Sequence, residues 1–440
     1  MIGPHEPSDG LRRVPITSEL ARVGSTAWQI ARGGGNVVGA SLRLRPLTAS
    51  AVQEAREVLS ALGPTYVKFG QIIGSSSGFF PRTLSDELRS LLDSVPPADP
   101  DAVHALLERE LGASPNKIFA SFDATPAASA SIAQVHFAVL KSGERVAVKI
   151  QRPGIRSRIA ADVQLFERVA AVLHRTPYVR MLNPRAVIED FAVTLQSELD
   201  FTAEARASAD WSAGLAPTRF GRAVRVPTAH PKFTTSRVLT MERVDGIRID
   251  DIEAIEAAKL DGTELVRTLF LSFLETLLRV GVFRGDLHAG NVLVDENGKL
   301  VFLDFGVVGR LDTDRRAILR RMLVSLLLLD DFDAAGQALF ELGAVRKPKT
   351  ALGSDVSSAI SPLRDNELGE ASYLDFGRRL AELARVHDAK LPRELVLVLK
   401  QLLYVERYVK LLAPQWKPTE DHAVIAYLAS LLTDTDQMAG

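Results

Sequence analysis

The chain of 440 residues contains no cysteine, which removes disulfides, thiolate metal sites and a cysteine nucleophile together. A reducing compartment is compatible with that absence. A surplus of charge is missing as well. Lys and Arg number 53 against 54 Asp and Glu, a formal net charge of -1, and nucleic-acid binding, which rests on a basic excess, is set aside. No stretch reaches the roughly 18 uninterrupted apolar residues of a membrane helix. The longest candidates, residues 322–329 and 395–403, are short or broken, the first by Ser325 and the second by Lys400 with Gln401. The opening residues Met1-Ile2-Gly3-Pro4-His5-Glu6 lack the basic region and apolar core of a signal peptide. A soluble, cytoplasmic protein is the expectation. Six arginines between Arg12 and Arg45 leave peripheral contact with a membrane surface open beside the plainer reading of a solvated helical face.

What is present is an ordinary globular composition, 46% hydrophobic and 24% charged. The chain is too long for one small core, so two lobes or domains are expected. No internal repeat is found. The densest chemistry lies in residues 281–306, GVFRGDLHAGNVLVDENGKLVFLDFG. Asp286 is followed by Asn291 and then by Asp304 within Asp304-Phe305-Gly306. The apolar runs Val292-Leu293-Val294 and Leu300-Val301-Phe302-Leu303 flank Asp295, Glu296, Asn297 and Gly298, the pattern of a hairpin. Such a hairpin carries Asn291 and Asp304 to one end. There an amide oxygen and a carboxylate can chelate Mg²⁺ on nucleotide phosphates, with Asp286 orienting or deprotonating the acceptor. Protein kinases carry a catalytic Asp, a metal-binding Asn and a metal-binding Asp-Phe-Gly in the same order.

Upstream, helical pattern covers residues 19–30, 47–62 and 84–92, and Thr65-Tyr66-Val67-Lys68-Phe69-Gly70-Gln71 sets a Lys and a Gln around a Gly. From Phe119 the pattern alternates. Residues 132–140 and 145–150 are two expected strands joined by a turn at Lys141-Ser142-Gly143-Glu144. Ala128, Ser129, Ala130 and Ser131 stand just before them, where a kinase folds a Gly-rich loop over the phosphates. Val146-Ala147-Val148-Lys149 fits the strand lysine that holds the α- and β-phosphates. Residues 155–174 form one expected helix. Asn183-Pro184 opens another, expected to run unbroken to about residue 213. On it Asp200 and Glu204 share a face and Glu198 points away. Glu198 is therefore assigned to Lys149, and Asp200 with Glu204 to a second cation, Lys68. Strand pattern resumes at 222–226 and 237–241, and residues 242–246 resemble a hinge, with Met241 and Val244 assigned to the nucleotide. Helices are expected over 264–280 and 315–329, and onward to the end, divided by Pro348, Pro362, Pro392 and Pro414.

Lys68-Phe69-Gly70-Gln71, the Ala/Ser loop, Gln134-Val135-His136, residues 146–153, Glu198-Leu199-Asp200-Phe201 and the Asp286 to Asn291 block together resemble the UbiB (ADCK-type) atypical kinase family. The likeness covers roughly residues 55–310. It implies an α+β, protein-kinase-like two-lobed fold with a helical N-terminal extension, the lid Lys68, Gly70, Gln71, Asp200 and Glu204 lying over the cleft, a link to isoprenoid-lipid metabolism, and ATPase behaviour. The division expected is 1–46 tail and helix, 47–115 helical extension, 116–245 N-lobe and 246–440 C-lobe with a helical C-terminal extension. Departures occur at Ser76 and Gly78, in the Ala/Ser loop, at Ala207, and in Phe283-Arg284-Gly285-Asp286-Leu287-His288-Ala289-Gly290-Asn291. The function expected is that of a Mg²⁺-dependent kinase or ATPase. Asp286, Lys149 and Glu198 are its catalytic groups, Asn291 and Asp304 hold the metal, and ATP or ADP is the nucleotide. Its partner is a small hydrophobic molecule or lipid rather than a protein, because no Ala-Pro-Glu closes an activation segment after Gly306. The alternative is a nucleotide-gated binding protein or chaperone for such a molecule, with slow hydrolysis.

Overall fold

The computed structural model describes residues 62, 63, 65, 66, 68, 96–173, 184–345, 351–365, 379, 382, 383, 386, 387 and 392–436. The helices expected over 19–30 and 84–92, nearly all of 47–62, and the positions Gly70, Gln71 and Pro348 lie outside the described residues. In chain order the helices are α1 Pro100–Leu111, α2 Pro115–Ile118, α3 Ile155–Leu173, α4 Pro184–Glu198, α5 Phe201–Leu215 and α6 Ile252–Ala257. There follow α7 Gly262–Glu275, α8 Thr313–Val324, α9 Phe332–Glu341, α10 Leu352–Asp365, α11 Arg393–Leu412 and α12 His422–Asp436. The strands are β1 Phe119–Phe122, β2 Ala128–Ser129, β3 Ala133–Leu140, β4 Arg145–Gln151, β5 Val224–Arg225 and β6 Val238–Glu242. The remainder are β7 Ile247–Arg248, β8 Val282–Arg284, β9 Val292–Val294, β10 Leu300–Phe302 and β11 Val308–Arg310. Two compact units hold them. One takes the described residues up to Ala203 together with Ala229–Arg243, the other Glu204–Thr228 together with those from Val244 on.

In the first unit, alternation from Ala133 to Gln151 makes an antiparallel sheet in the order β1-β3-β4-β6, with β2 beside β3. Val146, Val148 and Ile150 have no solvent exposure and pack in one cluster with Val103, Leu106 and Leu107 of α1. The turn expected at 141–144 is there, with Gly143 at φ 88 and its N–H on Leu140 O at 2.9 Å. A separate apolar cluster joins Ile155, Ile159 and Val163 of α3 to Phe191 and Leu195 of α4.

The long helix expected from Pro184 to about residue 213 is instead two helices. Asp200 is the reason. Its Oδ1 accepts from Thr202 N at 3.0 Å, Thr202 Oγ1 at 2.6 Å and Ala203 N at 3.3 Å, which is the work of an N-cap and competes with helix continuation. The carbonyl of Leu199, freed by the break, accepts from Gln151 Nε2 at 2.6 Å and from the Arg156 guanidinium. Gln151 at the end of β4 and Arg156 at the start of α3 thus satisfy what the break exposes.

In the second unit α7, α11 and α12 enclose an apolar core that includes Leu269, Leu277, Tyr408 and Tyr427. The segment of α5 from Glu204 belongs here. Trp211 stacks edge-on against Phe302 and Phe305 at 5.3 and 5.4 Å, and β5 pairs in parallel with β10. The expected helices 264–280 and 315–329 each end in one π turn, at Thr276–Val280 and Ser325–Leu329. Between them β8 and β11 form a two-stranded antiparallel ladder that three-residue strands leave too short to read in the sequence. Pro392 and Pro414 bracket α11 as expected. Pro362 does not divide helices; it lies inside α10. The Ser358 carbonyl, which Pro362 has no N–H to serve, accepts from Arg379 Nη1 at 2.6 Å. Among the described residues no helix is long and apolar enough to cross a membrane.

One buried acid gives this unit a pH signature. Glu406 on α11 is 5% exposed, and burial pushes its carboxyl up to about 7, against the pull of Lys410 Nζ at 2.9 Å. A folded value above the usual carboxylate value of about 4.3 means that the folded chain holds this proton longer than the unfolded one. The stability it contributes is full below that window and is lost as pH rises through 7. In thermal melts Glu406→Gln is expected to raise the midpoint over wild type at pH 8 and to do so by much less at pH 5. Equal gaps at both pH values would refute this.

Candidate functional site

The hairpin of β9 and β10 pairs Phe302 with Val292, Val301 with Leu293 and Leu300 with Val294. The register continues one step further, Leu303 N donating to Asn291 O at 3.1 Å, so Asn291 and Asp304 emerge at the same end. The turn is set by Asp295, whose Oδ1 accepts from Asn297 N and Lys299 N at 2.9 Å each. Asn291 is 8% exposed. Asp304 Oδ1 takes Gly306 N at 2.7 Å, fixing the carboxylate in the Asp-Phe-Gly turn. An amide oxygen and a carboxylate are hard donors suited to Mg²⁺, which takes one or two protein ligands and completes its shell with phosphates and water. The two residues therefore fit that ion. No cluster of three or more His, Cys, Asp or Glu able to hold a metal occurs among the described residues.

Arg284 ties this end to Asp286. Its Nε and Nη2 donate to Asp304 O at 3.1 and 2.9 Å, and Nη2 also to Asp286 O at 3.2 Å. The guanidinium rests on the rings of Phe302 and Phe305, 4.7 and 5.0 Å from their centroids. Arg284 is 2% exposed, and burial brings its pKa down to about 10, opposed by the nearby charges of Asp304, Asp286 and Glu204. It stays cationic at neutral pH. Next to it Gly285 has no room for a side chain, since a Cβ would stand 2.6 Å from Val307 Cγ1. Burial also lowers the pKa of His288, whose Nδ1 accepts from Gly290 N at 3.1 Å. That imidazole is neutral at pH 7.

Helix α11 lies on this loop. Tyr408 Oη donates to Leu287 O at 2.5 Å, and Lys400 Nζ stands 3.4 Å from Asp286 Oδ1, an oxygen that accepts no hydrogen bond among the described residues. Sequence reasoning missed Arg284, Lys400 and Tyr408 as parts of the site. For Lys400 the available signal was a single cation, with Gln401 beside it, in the apolar run 395–403.

In the first unit Lys149 is central in β4, opposite Val135 and Leu239, with Nζ 5.1 Å from the Phe201 ring centroid. Ala128 and Ser129 form β2, against Val135 and Gln134, and Ala130 N donates to Ala133 O at 2.8 Å. Arg152 pins this loop: Nη2 donates to Ser129 Oγ at 2.7 Å, Nε to Ala130 O at 2.8 Å and Nη1 to Pro96 O at 2.8 Å. Ser131 follows in a bend, Met241 in β6 faces Ala147, and Val244 lies in the irregular segment 243–246.

The pairing of acids and lysines differs from the expectation. Lys68 Nζ meets Glu198 Oε1 at 2.7 Å, so the carboxylate assigned to Lys149 takes Lys68. The helix break explains it, because Glu198 ends α4 while Asp200 is spent as the cap of α5. Glu204, 3% exposed, adds its charge to the environment of Arg284. The Lys68 and Glu198 side chains are 23% and 15% exposed. Their coupling should fall between the surface value of about 1 kcal/mol and the roughly 3–5 kcal/mol cost of breaking a buried pair. A double-mutant cycle with Lys68→Met and Glu198→Gln is expected to give about 1–3 kcal/mol. Zero coupling in denaturant melts would refute a structural role for the pair.

A model of the ABC1 atypical kinase-like domain matches residues 90–337. The protein called "Uncharacterized protein Rv0647c" of Mycobacterium tuberculosis is 49% identical over 429 residues, 97% of this chain and 88% of that protein. The "Probable protein kinase UbiB" of Pseudomonas entomophila is 31% identical over 379 residues, 84% of this chain and 70% of that protein. Among solved structures the Rv3197–erythromycin complex from Mycobacterium tuberculosis aligns with a TM-score of 0.54 at 22% identity, covering 90% of this chain and 94% of that one, a likeness of fold. Helices with small antiparallel sheets are the α+β, kinase-like architecture that the sequence motifs implied. With more than half of the chain inside the family model and relatives matched over most of their length, the chain belongs to the UbiB-type ABC1 atypical kinase-like family.

Proposed function

We propose that the chain is a Mg²⁺-dependent, adenine-nucleotide-binding atypical kinase or ATPase that acts on, or is gated by, a small hydrophobic molecule or lipid. The observation that carries the reading is the hairpin register that brings Asn291 and Asp304 to one end, with Arg284 fastening the Asp286 carbonyl to that of Asp304. Asn291 and Asp304 hold Mg²⁺, which neutralises phosphate charge when bound. Asp286 orients or deprotonates the attacking hydroxyl or water. Lys149 holds the α- and β-phosphates, the loop Ala128 to Ser131 covers them, and Met241 and Val244 face the base. Glu198, held by Lys68 in this structure, belongs with Lys68, Gly70, Gln71, Asp200 and Glu204 to the regulatory lid. The protein works in the cytoplasm, with contact to a membrane no more than peripheral.

Two features support an acceptor other than a protein. Only residues 307–312 separate the Asp-Phe-Gly turn from α8, and three of them form β11, which leaves no platform for a peptide. On α11, Val396 and Leu403 are 50% and 40% exposed. With Lys400 they fall within about 60° of arc at 100° per residue. A surface with a cation near Asp286 and apolar side chains beside it suits a molecule with a polar end and an apolar body. The solved structure of Rv3197, similar in fold, is a complex with erythromycin.

The test is a thermal-shift titration. Wild type is expected to respond to ATP with Mg²⁺ and far less to ATP with EDTA, and Asp304→Asn to remove the difference. Equal responses in wild type would remove the metal site from the account.

A further inference from the structure

Phosphoryl transfer spreads negative charge over the three equatorial oxygens of the moving group, and a fixed cation beside them lowers the barrier. The loop that carries Asp286 has no cation of its own in a position to do this. Arg284 is buried, and its Nε and Nη2 are committed to the carbonyls of Asp304 and Asp286. His288 has its Nδ1 on Gly290 N and is neutral. The remaining cation beside Asp286 among the described residues comes from another element. Lys400 of α11 places Nζ 3.4 Å from Asp286 Oδ1 without the alignment of a hydrogen bond, and 5.7 Å from the Tyr404 ring centroid. Its side chain is 36% exposed, so ligand can reach it where it cannot reach Arg284. The backbone beneath is rigidly held, because Tyr408, two turns along α11, is fully buried and hydrogen-bonded to Leu287 O.

We propose that Lys400 is a catalytic residue contributed by the C-terminal helix, contacting the phosphoryl group during transfer. The inference rests on the nucleotide-dependent reading of the site given above. In the reaction the acceptor oxygen attacks the terminal phosphorus and its proton passes to Asp286. The bond from that phosphorus to the bridging oxygen breaks, and the electron pair leaves on ADP. Lys400 releases its loose pairing with Asp286 to face the phosphoryl oxygens. The same ammonium holds Asp286 in place when no nucleotide is bound.

The experiment compares binding of Mg·ADP with binding of Mg·ADP plus fluoroaluminate, a mimic of the phosphoryl group in transfer, by calorimetry on the full chain. It needs no knowledge of the acceptor. Wild type is expected to bind the fluoroaluminate complex more tightly than Mg·ADP alone. Lys400→Met and Lys400→Gln should keep the affinity for Mg·ADP, which also reports that they fold, and lose about 10- to 100-fold in the fluoroaluminate gain. Lys400→Arg should retain most of it. Unchanged gain in both neutral variants, or no gain in wild type that binds Mg·ADP, overturns the role of Lys400 and leaves the nucleotide site standing. Wild type that binds no Mg·ADP overturns the functional reading and this inference with it.

Discussion

A guanidinium shut away from water has to spend its N–H groups on whatever surrounds it, and Arg284 gives Nε and Nη2 to two backbone carbonyls of the candidate site while Nη1 stays buried without a partner among the described residues. Those carbonyls belong to Asp304 and Asp286. Because the cation rests on the rings of both Phe302 and Phe305, its position is set by the hairpin and by the Asp-Phe-Gly turn together. Trp211 backs both rings, and with the pairing of β5 on β10 it packs the chain from Glu204 to Thr228 into this unit. Gly285 leaves the space under Val307 that lets β8 and the following loop pass so close to the turn. The unit's site is thus one packed object. Its charged members are oriented by main-chain bonds and aromatic faces, and α11 closes it through Tyr408 and Lys400.

The first unit obeys the same rule with different parts. Arg152 holds the Ala/Ser loop by two side-chain bonds and ties it to Pro96 by a third, and Gln151 with Arg156 satisfies the carbonyl exposed where α4 stops. Ordinary backbone accounting therefore decides where Glu198 ends up. A half-buried carboxylate at a helix end takes a lysine, and the lysine it takes is Lys68.

Much of this was legible in the sequence because local pattern and tertiary use agree there. Residues 132–140 and 145–150 follow an alternating pattern, and they form β3 and β4 within one residue at each end. The hairpin at 292–302 was readable from two apolar runs around Asp295 to Gly298, and with it the placement of Asn291 and Asp304. Asp200 was misread because helical periodicity on both sides outweighed its capacity to cap, and the assignment of Glu198 failed with it. Pro362 misled in the opposite direction, since Arg379, remote in sequence, supplies the missing donor. Lys400 could not be placed at all from the sequence. It stands 114 positions beyond Asp286, and only the packing of α11 against the loop brings the two together.

The central claim is that Asn291 and Asp304 form a metal site for a nucleotide. A crystal structure of the chain grown with Mn²⁺ and a non-hydrolysable ATP analogue tests it most directly, because anomalous scattering locates the ion independently of the protein phases. The account predicts one Mn²⁺ within about 2.0–2.3 Å of an Asn291 side-chain oxygen and an Asp304 carboxylate oxygen, with phosphate oxygens completing its shell. Nucleotide bound with no metal at these two residues, or the metal bound elsewhere on the chain, would contradict it.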